Sequence, residues 1–261
     1  MSTIETPTTV SAAAPADAFP YGWRYVRHDK PDGTWVMEQV PLTLEDVLHP
    51  QEDDQATHSS AHQRRCAYFF NVLRAQVQHD RTAVVLHDVR IAWDVPELGA
   101  HGPDIMLIFG VREVKNWSTF DVAAEGTRPS MIIEVVSPET RAVDVYHKLD
   151  EYDMAGVPLY VIVDTVQRRG QRMMRLLGYQ QTKAAYVPLQ PDSRGWLWLE
   201  PVRLYLGVEE NEVYCYDEHG VRLGDYADLA RALEAAQQAQ SEAAARIKAL
   251  EEELARLRGN V

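Results

Sequence analysis

Two apolar strands that each hold a carboxylate constrain this chain more than any other feature. The first reads GPDIMLIFGV, with Asp104 directly after a proline; the second opens RPSMIIEVVSPETR, with Glu134 inside MIIEVV. Both runs are rich in β-branched and apolar residues and read as buried strands. A charged carboxylate left unpaired in such a place costs on the order of several kcal/mol. Each therefore requires a neutralising partner.

The surrounding pattern alternates helix and strand. AVVLHDVRIAWDV, DIMLIFGV, SMIIEVVS and LYVIVD are short apolar runs, most of them bounded by Gly or Pro. Between the last two lies a helix signal: Ser137 as cap, Pro138 in the first turn, a stripe of Val145, Leu149 and Tyr152, and Gly156 with Pro158 as the stop. Upstream, Cys66, Phe69, Phe70, Leu73 and Val77 recur at helical spacing between His58 and Gln78. Thr43 caps a short helix, LEDVLH, that Pro50 ends. WRYVRHDKPDGTWVMEQV reads as a hairpin or extended arm. MMRLLGYQQ, AAYVPLQ, WLWLEP and EVYCYD read as an antiparallel extension of the sheet beyond Asp164. The fold class is α/β, a mixed sheet flanked by helices.

The ends differ from this middle. Residues 1–20 are Thr, Ala and Pro with few apolar anchors and read as a disordered tail. From Tyr226 to Leu257, apolar residues follow alternating three- and four-residue steps interrupted by Gln240, the pattern of a coiled coil. A solvated helix folded back on the domain is the other reading, and the alanines in the seam weaken self-association. The expected organisation is a tail and arm over residues 1–40, an α/β domain over 41–225 and a coiled coil over 226–261, which suits a chain of 261 residues.

Charge and cysteine usage narrow the function classes. The net charge of −13 opposes long-range attraction of nucleic acid. Cys66 and Cys215 form no pattern, which suits a reducing cytoplasm and neither a disulfide framework nor a thiolate zinc site. The sequence has no apolar run of about eighteen residues, so no membrane span is expected, and the N-terminus lacks the basic and apolar regions of a signal peptide.

Paired carboxylates on neighbouring strands, about 5 Å apart, suit a hard divalent cation that takes oxygen ligands. Taken singly, each reads rather as an arginine partner or a strand-end group in water than as a metal ligand. Lys148 joins them through its spacing. The Glu134 strand runs about 10 Å to Ser137, and a helix folded back over the sheet returns about 16 Å to Lys148. There the ammonium can orient water or stabilise charge on a phosphate. Its other reading is a surface lysine paired with Asp144. His58 and His62 stand four residues apart on a helix, with no third soft ligand evident. The acid-free segment QRRGQRMMRLLGYQQTK offers Arg168, Arg169, Arg172 and Arg175 as phosphate contacts, or else forms a solvated hairpin.

The order PDIMLI, IIEVVSPETR, KLDEY and AGVPLYVIVD resembles the Uma family (Uma two) of restriction endonucleases, within the PD-(D/E)XK nuclease superfamily, over roughly residues 41–210. The resemblance implies a restriction-endonuclease-like fold and phosphodiester hydrolysis in DNA with Mg2+ or Mn2+. It implies Asp104, Glu134 and the Val135 carbonyl as metal ligands, Lys148 positioning the attacking water, and His62 in a supporting place. The wider superfamily carries its lysine two residues after the acid, where this chain has Val136; the Uma pattern supplies it from the next helix, at Lys148. Asp104→Asn and Glu134→Gln are expected to weaken metal binding while leaving the metal-free fold unharmed or more stable, through lost repulsion. A catalytically inactive scaffold of the same fold, assembling with itself or a protein partner through the coiled coil, is the rival reading.

Overall fold

A computed structural model of the chain describes residues 19–56, 58–136, 146–168 and 170–259. The chain divides into two compact units, Met1–Arg222 and Leu223–Val261. In order along the first unit come β1 (Gly22–Asp29), β2 (Trp35–Pro41), α1 (Leu44–Leu48), β3 (Gln55–Ala56), α2 (Ser60–Val77), β4 (Val84–His87) and β5 (Arg90–Ala92). They are followed by β6 (Ile105–Ile108), β7 (Thr119–Asp121), α3 (Val122–Glu125), β8 (Pro129–Val135), α4 (Lys148–Met154), β9 (Leu159–Arg168) and β10 (Gln171–Gln181). β11 (Tyr186–Pro188), β12 (Leu197–Leu199), β13 (Leu204–Glu209) and β14 (Glu212–Tyr216) complete it, and the second unit is the helix α5 (Tyr226–Gly259).

Among the described residues, six strands form one mixed sheet in the order β11-β10-β9-β8-β6-β4. β8 and β9 are its parallel pair, with Glu134 opposite Ile162, and every other neighbouring pair is antiparallel. A parallel pair is covered on both faces, which is why MIIEVV and LYVIV read as near-continuous apolar runs. Met131, Ile132, Ile133, Tyr160, Val161, Ile162 and Val163 are all inaccessible to solvent. Glu134 shares the strand face of Ile132 and Val136. Those two pack with Tyr160, Ile162 and Tyr152 of α4 in one apolar cluster.

The arm is an antiparallel hairpin, β1 against β2, with β3 on the other side of β1. Thr43 caps α1 in a reciprocal box with Asp46. Ser59 caps α2, whose buried residues include His62, Cys66, Phe69 and Leu73. The extension beyond Asp164 differs from the single sheet expected. β10 and β11 do add to the main sheet, but WLWLEP and EVYCYD become β12 and β14 of a separate three-stranded sheet with β13 between them. That sheet alternates buried leucines with half-buried aromatics. α2 fastens it: the Cys215 N–H donates to Tyr68 Oη at 2.9 Å, and Arg65 reaches both oxygens of Glu212 at 3.0 Å. A sheet with its own helical cover does not need the central sheet's edge.

The proposed helix start at Ser137 and Pro138, with Val145 of its stripe, lies outside the described residues. Lys148–Met154 is helical, preceded by a wider turn at 146–147. Its end is closed by two backbone bonds, Gly156 N–H to Asp153 O at 3.0 Å and Val157 N–H to Tyr152 O at 3.0 Å, with Gly156 at φ 72°. This left-handed turn needs glycine. Gly156→Ala should lower stability by about 1–2 kcal/mol, read as a lower urea midpoint with an unchanged slope.

Candidate active site

Asp104 immediately precedes β6, and the antiparallel register of β6 on β8 sets it beside Glu134. The two residues brace each other through backbone and side chain. The Asp104 N–H donates to Glu134 Oε2 at 3.4 Å, and the Val135 N–H donates to Asp104 Oδ2 at 2.7 Å. Glu134 Oε1 accepts from Lys148 Nζ at 2.9 Å and from the Tyr152 hydroxyl at 2.9 Å. Lys148 is only 4% exposed and Glu134 2%. The reading of Lys148 as a surface residue does not hold: the helix delivers its ammonium into the sheet. Asp144, its other proposed partner, lies outside the described residues.

Asp104 pairs with an imidazole. His62 Nε2 lies 3.1 Å from Asp104 Oδ1, while His62 Nδ1 donates to the Val135 carbonyl at 2.9 Å. Burial pulls the His62 pKa down, but the hydrogen bond and charge of Asp104 outweigh it, and the imidazole titrates above its ordinary value. Burial likewise raises the Asp104 carboxyl, yet the His62 hydrogen bond and charge, then Lys148 and the Val135 N–H, leave it below the usual carboxylate value. His58 stacks on His62 with ring centroids 4.2 Å apart and is held below its ordinary value by burial, then by His62. Glu134 therefore meets an ammonium and Asp104 an imidazole within the fold.

The donor set fits a divalent cation. Asp104, Glu134 and the Val135 carbonyl are oxygen donors of the kind a hard ion takes, linked to one another through the Asp104 N–H, the Val135 N–H and His62. Asp104 stands beside His58 and His62, its oxygen within 4.8 Å of a nitrogen of each, as a hard donor and not the soft third ligand the pair lacked. With Nδ1–H donating to a carbonyl and Nε2 hydrogen-bonded to Asp104, His62 offers a cation a lone pair only after Nε2 gives up its proton. The structure thus brings together Asp104, Glu134, Val135, Lys148 and His62. The arginines are less uniform. Arg175 on β10 pairs with the buried carboxylate of Asp164, and Arg172 is exposed. Arg169 and the side chain of Arg168 lie outside the described residues.

Three contributors escaped the sequence reading. Tyr152 stands one helical turn after Lys148; that spacing was visible, but its ring was assigned to the apolar stripe alone. The other two are His101 and Glu151. His101 is fully buried against Tyr152, with ring centroids 5.0 Å apart, and Trp93 Nε1–H donates to its Nδ1 at 2.7 Å. Nδ1 is then the bare nitrogen, so Nε2–H donates to Glu151 Oε2 at 2.5 Å. This bond latches the segment leading to Asp104 onto α4. His49, His101 and Glu151 lie close enough to hold a cation. However, a neutral ring that accepts from Trp93 has no lone pair left on Nε2, so the group is structural.

Residues 54–210 match the model of the Uma2 family, whose description is "Putative restriction endonuclease". The matched span includes every residue of the site. Among solved structures, one similar chain is described as a "putative nuclease belonging to DUF820" from Anabaena variabilis ATCC 29413. It shares 14% identity at a TM-score of 0.37, over 62% of this chain and 76% of that one. No curated protein matches.

The Lys148 contact reverses the expectation for Glu134→Gln. Removing that carboxylate's charge takes away the partner of a buried ammonium, so the metal-free fold should lose up to about 3 kcal/mol. Glu134→Gln with Lys148→Met should recover part of the loss in urea titrations. The latch predicts a pH effect. Burial lowers the His101 pKa below 6.5, and the His101 hydrogen bond lowers Glu151 below 4.5. Both groups bind fewer protons folded than unfolded, so their contribution is complete at neutral pH and is lost as the pH falls through these values. The stability lead of the parent chain over His101→Gln should therefore shrink from pH 7 to pH 4.5.

Proposed function

Because the chain belongs to the Uma2 restriction-endonuclease family, we propose that it is a metal-dependent endonuclease that hydrolyses phosphodiester bonds in DNA. The observation that carries this reading is the buried Lys148–Glu134 pair beside Asp104. Burial of an ammonium is costly, and a purely structural role is served as well by apolar residues of similar size. Asp104, Glu134 and the Val135 carbonyl would hold the cation, Mg2+ or Mn2+. When bound, the cation supplies a Lewis acid and a water acidic enough to act as nucleophile near neutral pH.

The chain's own residues do the rest. Lys148, as an ammonium already donating to Glu134, orients a water or stabilises negative charge developing on the phosphate. Tyr152 fixes the same carboxylate oxygen and so holds the glutamate's orientation. His62 ties the Val135 carbonyl to Asp104, setting the relative placement of two ligands. Exposed Arg172 is available to a phosphate backbone, whereas Arg175 must first release Asp164. DNA as substrate rests on the family, and a cytoplasmic setting on the two free, buried cysteines. Among the described residues no helix is long and apolar enough to cross a membrane.

A second reading, an inactive scaffold of the same fold, is favoured by one observation: both carboxylates are already satisfied by hydrogen bonds and charge within the fold. Calorimetric titration separates the two. The nuclease reading expects Mn2+ binding that weakens in Asp104→Asn and Glu134→Gln; no heat in the parent chain would leave the scaffold. The activity test is cleavage of single-stranded, double-stranded and branched DNA with and without Mg2+. Lys148→Ala should keep metal binding and lose about a hundredfold or more in turnover. Lys148→Arg should not rescue it, because a planar guanidinium does not replace a compact ammonium. Full activity in Lys148→Ala would remove the lysine from the mechanism.

A further inference from the structure

We infer that α5 pairs with α5 of a second copy of this chain as a parallel, in-register, two-stranded coiled coil. The helix is 34 residues long, and Asp225 and Asp228 cap its start by exchanging backbone and side-chain bonds at 2.8 and 3.2 Å. Leu229, Leu233, Ile247, Leu250 and Leu254 lie on one stripe, and each is at least 52% exposed. These side chains account for the helix's apolar periodicity, and helical stability in proteins comes chiefly from packing such a face.

The charges beside the stripe say what covers it. With Ile247 and Leu254 at heptad position a and Leu250 at d, Arg246 falls at g and Glu251 at the following e. In a parallel pair, g of one helix meets the next e of the other, so Arg246 meets Glu251 of the second copy, twice per dimer. The earlier flanking positions, Ala232, Gln237, Ala239 and Ala244, carry no charge and oppose nothing.

Other arrangements lose these matches. An antiparallel overlap covering the same seam sets Arg246 against Ala239 and Glu251 against Ala230. A shifted antiparallel overlap that pairs Arg246 with Glu253 leaves Leu229 and Leu233 bare. Gln240 decides in the same direction. It occupies position a, where a parallel in-register pair sets it against its own copy and the two amides bond each other; the full antiparallel overlap sets it against Ala243. A polar residue at a fixes register at some cost in stability.

Sedimentation of the full chain from micromolar to hundreds of micromolar tests the inference. The mass should rise from that of one chain, 29.6 kDa, to twice that value. A mass that stays at one chain, or climbs past two, overturns it. Gln240→Cys should cross-link to itself on oxidation, since Cys66 and Cys215 are buried and do not compete. Ser241→Cys, facing away from the seam, should not. Arg246→Glu should raise the dissociation constant about tenfold, the size expected for reversing two exposed charge pairs. Arg246→Glu with Glu251→Arg should restore it. Absence of the Gln240→Cys cross-link, or failure of the double exchange to restore the dimer, would sink the parallel pairing.

Discussion

The buried ion pair between Lys148 and Glu134 is the contact on which the arrangement of the first unit turns. Two charged groups, each less than a twentieth exposed, sit where a strand and a helix of a parallel crossover meet. Removal of two such groups from water costs several kcal/mol per ion and is offset only by close geometry and further hydrogen bonds. Those bonds are present: Tyr152 shares the Lys148 oxygen and the Asp104 N–H meets the other. Most of what surrounds the pair serves to hold its members in place. The left-handed close after α4 fixes where the helix stops, and the His101–Glu151 latch ties α4 to the segment that delivers Asp104.

Electrostatically the site is unusual within an acidic chain. Net charge is −13, yet the two carboxylates meet Lys148 and His62 at hydrogen-bond distance. Of the arginines that read as a basic grip, Arg175 belongs to Asp164, and elsewhere Arg65 belongs to Glu212 and Arg24 to Asp46 and Asp54. Local pairing of this kind leaves little outward positive field. Recognition of a polyanion would then depend on short-range contacts and on charge near the cation, with weak long-range steering.

Much of this was legible in the sequence. The carboxylate in MIIEVV announces a partner because buried strands do not tolerate bare charge, and Lys148 is that partner, although the helical path from Ser137 used to place it lies outside the described residues. The hairpin, the Thr43 cap and the buried face of α2 follow from local rules and appear as expected. What local rules do not give is pairing between distant segments. His101 and Glu151 are fifty residues apart, and neither has a spacing that marks it. The separate β12–β14 sheet was unreadable for a related reason: alternation gives a strand one buried face but does not say which neighbour buries it. Tyr152 is a different case, since a phenol on an apolar stripe has two capacities and its periodicity reports only one.

The reciprocal bonds between Asp104 and the Glu134–Val135 segment have a consequence for folding. An antiparallel pair of apolar strands can slide, and a slip of one residue turns every side chain to the opposite face. β6 and β8 are short, apolar on both faces and irregular between Leu107 and Ile108, so their hydrophobic pattern alone discriminates poorly between registers. The two carboxylates supply the discrimination. Only one alignment lets each backbone N–H reach the neighbouring strand's acid; any other separates Asp104 from the Val135 N–H and Glu134 from the Asp104 N–H. The residues of the site thus double as a proofreading device for strand alignment: a chain that has zipped up wrongly cannot assemble them and is penalised until it reopens.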